Sequence, residues 1–394
     1  MSEWKEDIFD NFIKLKRGYD LPESSIVSGK YPIVASTTIK AYHNQFKVNP
    51  PGVVTGRSGS LGTVQYISTK YWPLNTTLYV KDFKGNFPKY VYYFLKKIHL
   101  ENFNSGAGVP TLNQNHLHKL KIKIALLPIQ KKIAAILSAY DDLIEKNNRR
   151  IAILEKMAEE IYREWFVRLR FPGHEQVKFN KGIPEGWEVK QIQNVCKIAR
   201  GSSPRPINDS KYFVNGTIPW IKIADATASK MFVYETKEYV NDVGASFSRK
   251  LPRGSLIIAT SGTLGFCIFL GIEGCVHDGW MYLTEYKKNV KPCFLYYVIN
   301  YYREHLNNLS YGAAIQNINT EIIRRLPLIL PTNEVLIKFY SVIEPIHKKI
   351  YNLGKVNNIL KQTRDRLLTR LISGKLSVED LDIQFPPSMR EELE

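Results

Sequence analysis

The sequence predicts an α+β protein made by tandem duplication. Two mixed α/β globular domains are each followed by a long helix, and the helices pair as an antiparallel coiled coil about a pseudo-two-fold axis. Three observations predict this. Short motifs occur twice in the same order at matched spacing, a heptad stripe follows each set, and β-rich runs punctuated by Gly and Pro fill the remainder. At 394 residues the chain has room for two or three domains with real cores.

The duplication organises the whole chain. Trp4 precedes Gly18 by the same interval at which Trp187 precedes Gly201. Tyr31-Pro32-Ile33-Val34 is echoed by Ile218-Pro219-Trp220-Ile221, and Arg57-Ser58-Gly59-Ser60-Leu61-Gly62 by Thr260-Ser261-Gly262-Thr263-Leu264-Gly265. Ser105-Gly106-Ala107-Gly108-Val109 returns as Tyr311-Gly312-Ala313-Ala314-Ile315, and Leu126-Leu127-Pro128 as Ile329-Leu330-Pro331. The step from Gly59 to Pro128 is identical in length to that from Gly262 to Pro331, which chance does not produce.

Each repeat begins with strand-like runs, Tyr31 to Ala35, Gly52 to Thr55 and Leu78 to Val80 in the first and Ser255 to Ala259 in the second. Tyr90 to Ile98 and Pro292 to Tyr302 have helical patterns. A stripe then runs in steps of four and three from Ile133 through Leu137, Tyr140, Ile144, Asn147, Ile151, Leu154, Ala158 and Ile161 to Trp165. The second runs from Phe339 through Ile343, Ile346, Ile350, Leu353, Asn357, Leu360, Arg364 and Leu367 to Leu371. Stripes this narrow and long suit a coiled-coil partner, with Asn147, Asn357 and Arg364 fixing register, whereas the plainer alternative packs each helix only on its own domain. Pro345 marks a kink or a start. The expected organisation is a first domain over 1–125, a spacer helix over 126–170, a linker over 171–185, a second domain over 186–328, a second spacer helix over 329–374 and a tail over 375–394. Antiparallel pairing would put the domains at opposite ends of a rod about 50 Å long, near one and a half turns of B-DNA.

Charge points to a polyanion. Lys and Arg number 55 against 37 acidic residues, a formal charge of +18, and the excess lies in the domains. Ser24 to Ala125 holds 13 basic residues against two acidic ones, and Gly186 to Leu328 holds 17 against 11. Two basic globular blocks favour nucleic acid over a structural adaptor that gathers partners without DNA. The most apolar stretch, Leu256 to Ile272, is broken by Thr260-Ser261-Gly262-Thr263 and reads as buried strand rather than membrane span. The acidic start is no signal peptide, so a cytoplasmic location is expected, and four cysteines, none of them before Cys196, make no disulfide framework.

Several segments resemble the specificity subunit of type I restriction-modification systems, along essentially the whole chain. They are Gly182-Ile183-Pro184-Glu185-Gly186-Trp187, Leu126-Leu127-Pro128-Ile129-Gln130-Lys131-Lys132-Ile133, Ile161-Tyr162-Arg163-Glu164-Trp165-Phe166-Val167, Phe171-Pro172-Gly173-His174 and Gly216-Thr217-Ile218-Pro219-Trp220. The resemblance implies two target-recognition domains, each reading one half of an asymmetric bipartite DNA sequence, with the helices as a ruler. It also implies docking of two adenine-N6 methyltransferase subunits and, through them, ATP-dependent restriction subunits. The chain itself then does no chemistry and carries no cofactor; S-adenosylmethionine, ATP and magnesium belong to its partners. Two departures stand out. The first domain is shorter, the stretch from Gly18 to Gly59 being about two-thirds as long as that from Gly201 to Gly262, and the tail after Gly374 has no assigned role.

Competing chemistries lack their residues. Asn49-Pro50-Pro51-Gly52 has Gly where an adenine methyltransferase needs an aromatic ring to stack on a flipped base, and reads as a turn. Gly56-Arg57-Ser58-Gly59-Ser60-Leu61-Gly62-Thr63 lacks the Lys-Ser/Thr end of a phosphate-binding loop. Cys267, Cys275, His277 and Cys293 have no tight metal-ligand spacing, so no metal is expected. Base readers should be polar, long or bidentate and sit on loops of the basic blocks. The candidates are Ser36, Thr37, Thr38, Lys40, Tyr42, His43, Asn44, Arg57 and Ser58 in the first domain. In the second they are Ser202, Ser203, Arg205, Lys222, Asp225, Lys230, Thr260 and Ser261. For each of them, a solvated surface residue is an equally good reading.

Overall fold

The computed structural model describes residues 4–227, 229–260, 265–312 and 320–390. The chain forms two compact units, one of residues 1–145 with 359–394 and one of residues 146–358. Both boundaries fall inside the long helices, so each unit contains a globular domain plus a piece of each helix.

In the first unit the strands are β1 (Trp4–Ile8), β2 (Lys14–Arg17), β3 (Tyr31–Val34), β4 (Ile39–His43), β5 (Gly52–Gly56), β6 (Val64–Ile67), β7 (Trp72–Pro73), β8 (Thr77–Asp82) and β9 (Lys121–Ala125). They form sheets ordered β2-β8-β5-β6, β4-β3-β7 and β1-β9. The β5 strand is buried along its whole length because both sheet faces are covered. Its first residue must be small: a Cβ on Gly52 would lie 2.4 Å from the Tyr71 ring, which accounts for the glycine after Pro50-Pro51. The short helices are α1 (Phe9–Phe12), α2 (Pro88–Lys97, with proline at its start) and α3 (Gln114–His118).

The second unit repeats this order of pairings. Its strands are β10 (Phe179–Asn180), β11 (Ile183–Pro184), β12 (Glu188–Gln191), β13 (Lys197–Arg200), β14 (Ile218–Ile221), β15 (Phe232–Val233), β16 (Tyr239–Val240), β17 (Arg249–Leu251), β18 (Leu256–Ala259), β19 (Cys267–Leu270), β20 (Gly274–Val276), β21 (Trp280–Thr284) and β22 (Pro327–Leu330). The sheets run β13-β21-β18-β19-β15, β16-β14-β20-β17 and β12-β22, with β10-β11 as a separate hairpin. Even the one parallel pairing of the small sheet recurs, Ile33 beside Trp72 in one unit and Trp220 beside Cys275 in the other. From β5 through β8 the two repeats correspond at one constant offset in numbering: Val54 faces Tyr79, and their counterparts Ile257 and Tyr282 face each other. The longer stretch before β18 supplies the extra edge strands β15 and β17 and the short helices α5 (Ile223–Thr227) and α6 (Asp242–Ser246).

Helix α4 (Leu127–Tyr162) has 36 residues and passes directly into a π-turn over Arg163–Val167. After α7 (Pro292–Gly312) and α8 (Thr320–Arg325) comes α9 (Asn333–Ile372), 40 residues, then α10 (Pro387–Arg390). Pro345 lies within α9, more than three turns past Asn333, so it is not a start point. Every heptad position named above is buried or half-buried. Within the first unit Ile133, Ala134 and Leu137 share a core with Leu368, Leu371 and Ile372, and Asp141 pairs with Arg364. Within the second, Ile151, Ala158 and Tyr162 share a core with Phe339, Ile343 and Leu353, and the Asn147 amide donates to Asn357 Oδ1 at 2.9 Å. The pairing is antiparallel in each unit, and the same cores include the domain residues. Each helix therefore packs on its partner helix and on its own domain at once.

Two segments that looked like connectors are part of these cores. Phe171 and Trp187 are buried in the second unit, with Val177 and Ile183 packed beside them. The tail returns to the first unit, where Val378 and Met389 are fully buried and the buried Lys89 amine donates to Ser388 O at 2.7 Å. Among the described residues no helix is long and apolar enough to cross a membrane.

Candidate nucleic-acid interface

In the first unit the turn after β5 is built by glycine. A Cβ on Gly56 would lie 2.1 Å from Ser60 O, and Gly59 and Gly62 have φ of +86° and +87°. The turn is then held from three sides. Arg57 N and Ser58 N donate to Thr76 O at 2.8 and 3.2 Å, Gly59 N donates to Pro110 O at 2.9 Å, and Leu112 N donates to Arg57 O at 2.8 Å. Ser36 Oγ donates to Ser58 O and Thr76 O. The structure thus gathers Ser36, Arg57 and Ser58 with Asn75-Thr76 and the Ser105–Val109 motif. Thr37, Thr38 and Asn44 are exposed, and so is Tyr42, at 52%. Lys40 is exposed and pairs with Glu23. His43 is a correction: it is 4% exposed, its Nδ1 bonds the Val27 backbone, and its ring packs on Trp72. It is a core residue: along β4 exposed Lys40 and Tyr42 alternate with Ala41 and His43, which face inward.

In the second unit the same place is organised by Asp278. Ser203 Oγ donates to Asp278 Oδ1 at 3.0 Å, Arg205 pairs with its Oδ2, and Arg200 Nε donates to its carbonyl at 2.8 Å. Partial burial pushes the Asp278 carboxyl up, but the Ser203 hydrogen bond and the Arg205 charge outweigh that, and the group sits below the usual carboxylate range. Thr260 is a second correction: it is 2% exposed and both its N–H and its hydroxyl donate to Gly279 O, so it staples two strand ends. Asp225 is a third. Its half-buried carboxylate accepts from Lys222 N, Thr236 Oγ1 and Lys237 N, which shapes the loop after β14. Lys222 lies over the Trp220 ring and pairs with Glu238. Ser202 offers its carbonyl to Ser248 Oγ. Lys230 belongs elsewhere, in a cavity of about 390 Å³ shared with Glu155, Glu159 and Arg303. Ser261, with the rest of 261–264, lies outside the described residues, as do 313–319 of the second Gly-Ala motif.

The residues that sequence reasoning missed are Asn75, Arg200, Asp278 and Arg324. Arg200 and Arg324 line a cleft of about 280 Å³ with Thr260, Met281 and Thr320. The constant offset between the repeats was the available signal: the shift that carries Gly59 onto Gly262 also carries Asn75 onto Asp278 and Thr76 onto Gly279. The arrangement offers cations and hydroxyls on a glycine-built turn in the first unit and at strand ends in the second, suited to binding phosphate and base edges. Among the described residues no group of three His, Cys, Asp or Glu side chains could hold a metal, and all four cysteines are buried, which pushes the Cys196 and Cys293 thiols up to about 12.

Residues 1–156 and 184–362 each match the family described as "Type I restriction modification DNA specificity domain", once per repeat. The MjaIX specificity subunit of Methanocaldococcus jannaschii is 28% identical over 341 residues, spanning 82% of this chain and 77% of its own. The MjaVIII specificity subunit of the same organism is 23% identical over 96% of this chain and 94% of its own. Among solved structures, the type I restriction-modification S subunit from M. genitalium superposes with a TM-score of 0.61 at 16% identity, over 94% of this chain and 96% of that one, which shows a shared fold. With both repeats matched, the chain belongs to the type I restriction-modification DNA specificity family.

Proposed function

We propose that each repeat reads one half of a split DNA target and that the paired helices set the unread gap between the halves. The observation that carries this reading is the repetition itself. The same strand pairings occur twice, but the side chains at the end of the matching strand differ: Arg57-Ser58 faces Asn75-Thr76 in one unit, and Thr260 faces Asp278-Gly279 in the other. Like scaffolds with unlike side chains fit two unlike half-sites. The chain acts without catalysis of its own. It docks two adenine-N6 methyltransferase subunits and, through them, ATP-dependent restriction subunits, and S-adenosylmethionine, ATP and magnesium belong to those partners.

The test is to map methylated adenines genome-wide in cells carrying this chain with its methyltransferase, and again after exchanging residues 186–328 for those of a related chain. A split, asymmetric motif in which only one half changes supports the reading; a continuous palindrome, or methylation by the isolated chain, overturns it. Inserting one heptad between Ile144 and Ile161, with a matching heptad in α9, should lengthen the gap and leave the half-sites alone.

A further inference from the structure

We propose that Arg57 and Arg200 are the equivalent DNA-phosphate contacts of the two repeats, although they come from non-equivalent positions in the sequence. The inference rests on the DNA-reading function above. By sequence, the counterpart of Arg200 is Arg17, since each ends the strand before the glycine of the repeat, and Arg17 faces Leu78 as Arg200 faces Met281. The hydrogen bonds say otherwise. Arg57 Nε donates to Asn75 O at 3.0 Å, and Arg200 Nε donates to Asp278 O at 2.8 Å. Residues 75 and 278 are the same place in the duplicated fold. One repeat reaches that carbonyl from the turn after β5, the other from the end of β13.

The carboxylates complete the exchange. The carboxylate bonded to residue 75 and the one borne by residue 278 are each matched by a different arginine. Asp20 receives the Asn75 amide and lies 3.7 Å from Arg17, while Asp278 is paired with Arg205. Arg17 and Arg205 therefore face a carboxylate. Arg57 and Arg200 are tied only through Nε to a carbonyl, and among the described residues their terminal nitrogens have no carboxylate partner. A guanidinium anchored at Nε by a neutral acceptor keeps its charge and presents its outer edge in a fixed direction, as a bidentate phosphate contact requires. Arg57 opens the glycine-built turn of the first unit, and Arg200 lines the open cleft of the second with Thr260 and Arg324.

The experiment measures binding of the full-length chain to a random-sequence duplex of about 30 base pairs across a salt series, because counterion release reports phosphate contacts regardless of sequence. R57Q and R200Q should each weaken binding several-fold and flatten the log K against log salt slope by about 0.9. R17Q should leave the slope at the wild-type value. A second readout avoids unstable variants: phenylglyoxal modification of the wild-type chain, read by mass spectrometry, should show Arg57 and Arg200 protected by the duplex and Arg17 still reactive. The proposal is overturned if R17Q flattens the slope as much as R57Q or R200Q. It is also overturned if R57Q and R200Q lower the melting temperature with no change in slope, which is the outcome for arginines that only brace a carbonyl. Absence of binding by the wild-type chain would instead overturn the DNA-reading function itself.

Discussion

The two domains are fastened to the spacer helices at the same point by opposite electrostatics. Tyr93 of α2 and Tyr297 of α7 occupy corresponding helix positions, at equal distances from the opening prolines Pro88 and Pro292. In the first unit the Tyr93 hydroxyl donates to Asp141 Oδ2 at 2.6 Å, and Asp141 is in turn paired with Arg364 from the other spacer helix. In the second unit the Tyr297 hydroxyl pairs with His347 Nε2 at 2.6 Å, among the rings of Phe269, Tyr296 and Phe232. One junction is charged and spans three helices; the other is neutral and aromatic. Each copy of the tyrosine makes a polar bond to a spacer helix, and the residues around it decide whether that bond is charged.

The largest expected effect follows from the charged junction. Asp141→Ala leaves the Arg364 guanidinium, whose side chain is only 15% exposed, facing Asp365 alone, and leaves the Tyr93 hydroxyl only Ser138 Oγ at 3.4 Å. Loss of one partner from a largely buried pair costs about 3 kcal/mol or more, whereas replacing both D141 and R364 with leucine should cost much less. Urea unfolding of the two variants checks this. A single-variant cost below about 1 kcal/mol would show that the junction is solvated and would remove the contrast with the second unit.

The neutral junction responds to acid instead. Burial holds His347 down at about 4, from an ordinary 6.5, so the folded chain keeps it uncharged. The unfolded chain takes up the proton as pH falls through 6.5. The stabilising contribution is therefore complete above that value and is lost progressively down to about 4, a total of roughly 3 kcal/mol. His118 and His277 are also held down by burial, so the informative quantity is the difference between wild type and H347Q. H347Q should unfold with a shallower pH dependence between 6.5 and 4. Equal slopes would mean that the junction opens to water.

How much of this was legible in the sequence follows from the range of the signals. The duplication was legible because glycine and proline mark turns wherever the chain needs them, and Gly59/Gly262 and Pro128/Pro331 kept their spacing. The helices were legible because a heptad is a local pattern. The tail was not: Leu376, Val378, Ile383, Phe385 and Met389 follow no period and are buried only because the first unit offers a surface for them. The candidate interface was half legible. The glycines marked the turn after β5, but the Asp278–Arg205 and Arg57–Asn75 bonds join residues far apart in sequence, and single-residue reasoning turned His43 and Thr260 outward when tertiary packing buries them.

A smaller effect is expected at Gly354, a glycine in the middle of α9; α4 has none. Its Cβ would sit 2.1 Å from the Tyr234 hydroxyl, which bonds Ile350 O at 3.3 Å. Gly354→Ala gains about 1 kcal/mol in helix propensity but forces Tyr234 away, for a net loss of about 1–2 kcal/mol. Pairing it with Tyr234→Ala should restore the propensity gain, seen as a favourable coupling in the double-mutant cycle. Additive losses would mean that the domain does not press on the helix there.

The smallest stability change, and the most informative about the spacer, is expected at the asparagines of the seam. Asn147 donates to Asn357, and Asn357 donates to Asn148 Oδ1 at 3.0 Å; Asn147 and Asn357 are almost fully buried. A leucine pair at 147 and 357 should leave stability within about 1 kcal/mol of wild type or raise it, because buried amides at heptad seams hold register at some cost in stability. What should suffer is uniqueness. Native mass spectrometry should find the Asn147→Leu/Asn357→Leu chain self-associating; if the target is split as proposed, methylome mapping should find it accepting more than one gap length, while D141A keeps a single one. If the leucine variant keeps a single gap, register is set by the domain junctions rather than by the seam, and the tyrosine anchors, not the asparagines, carry the ruler.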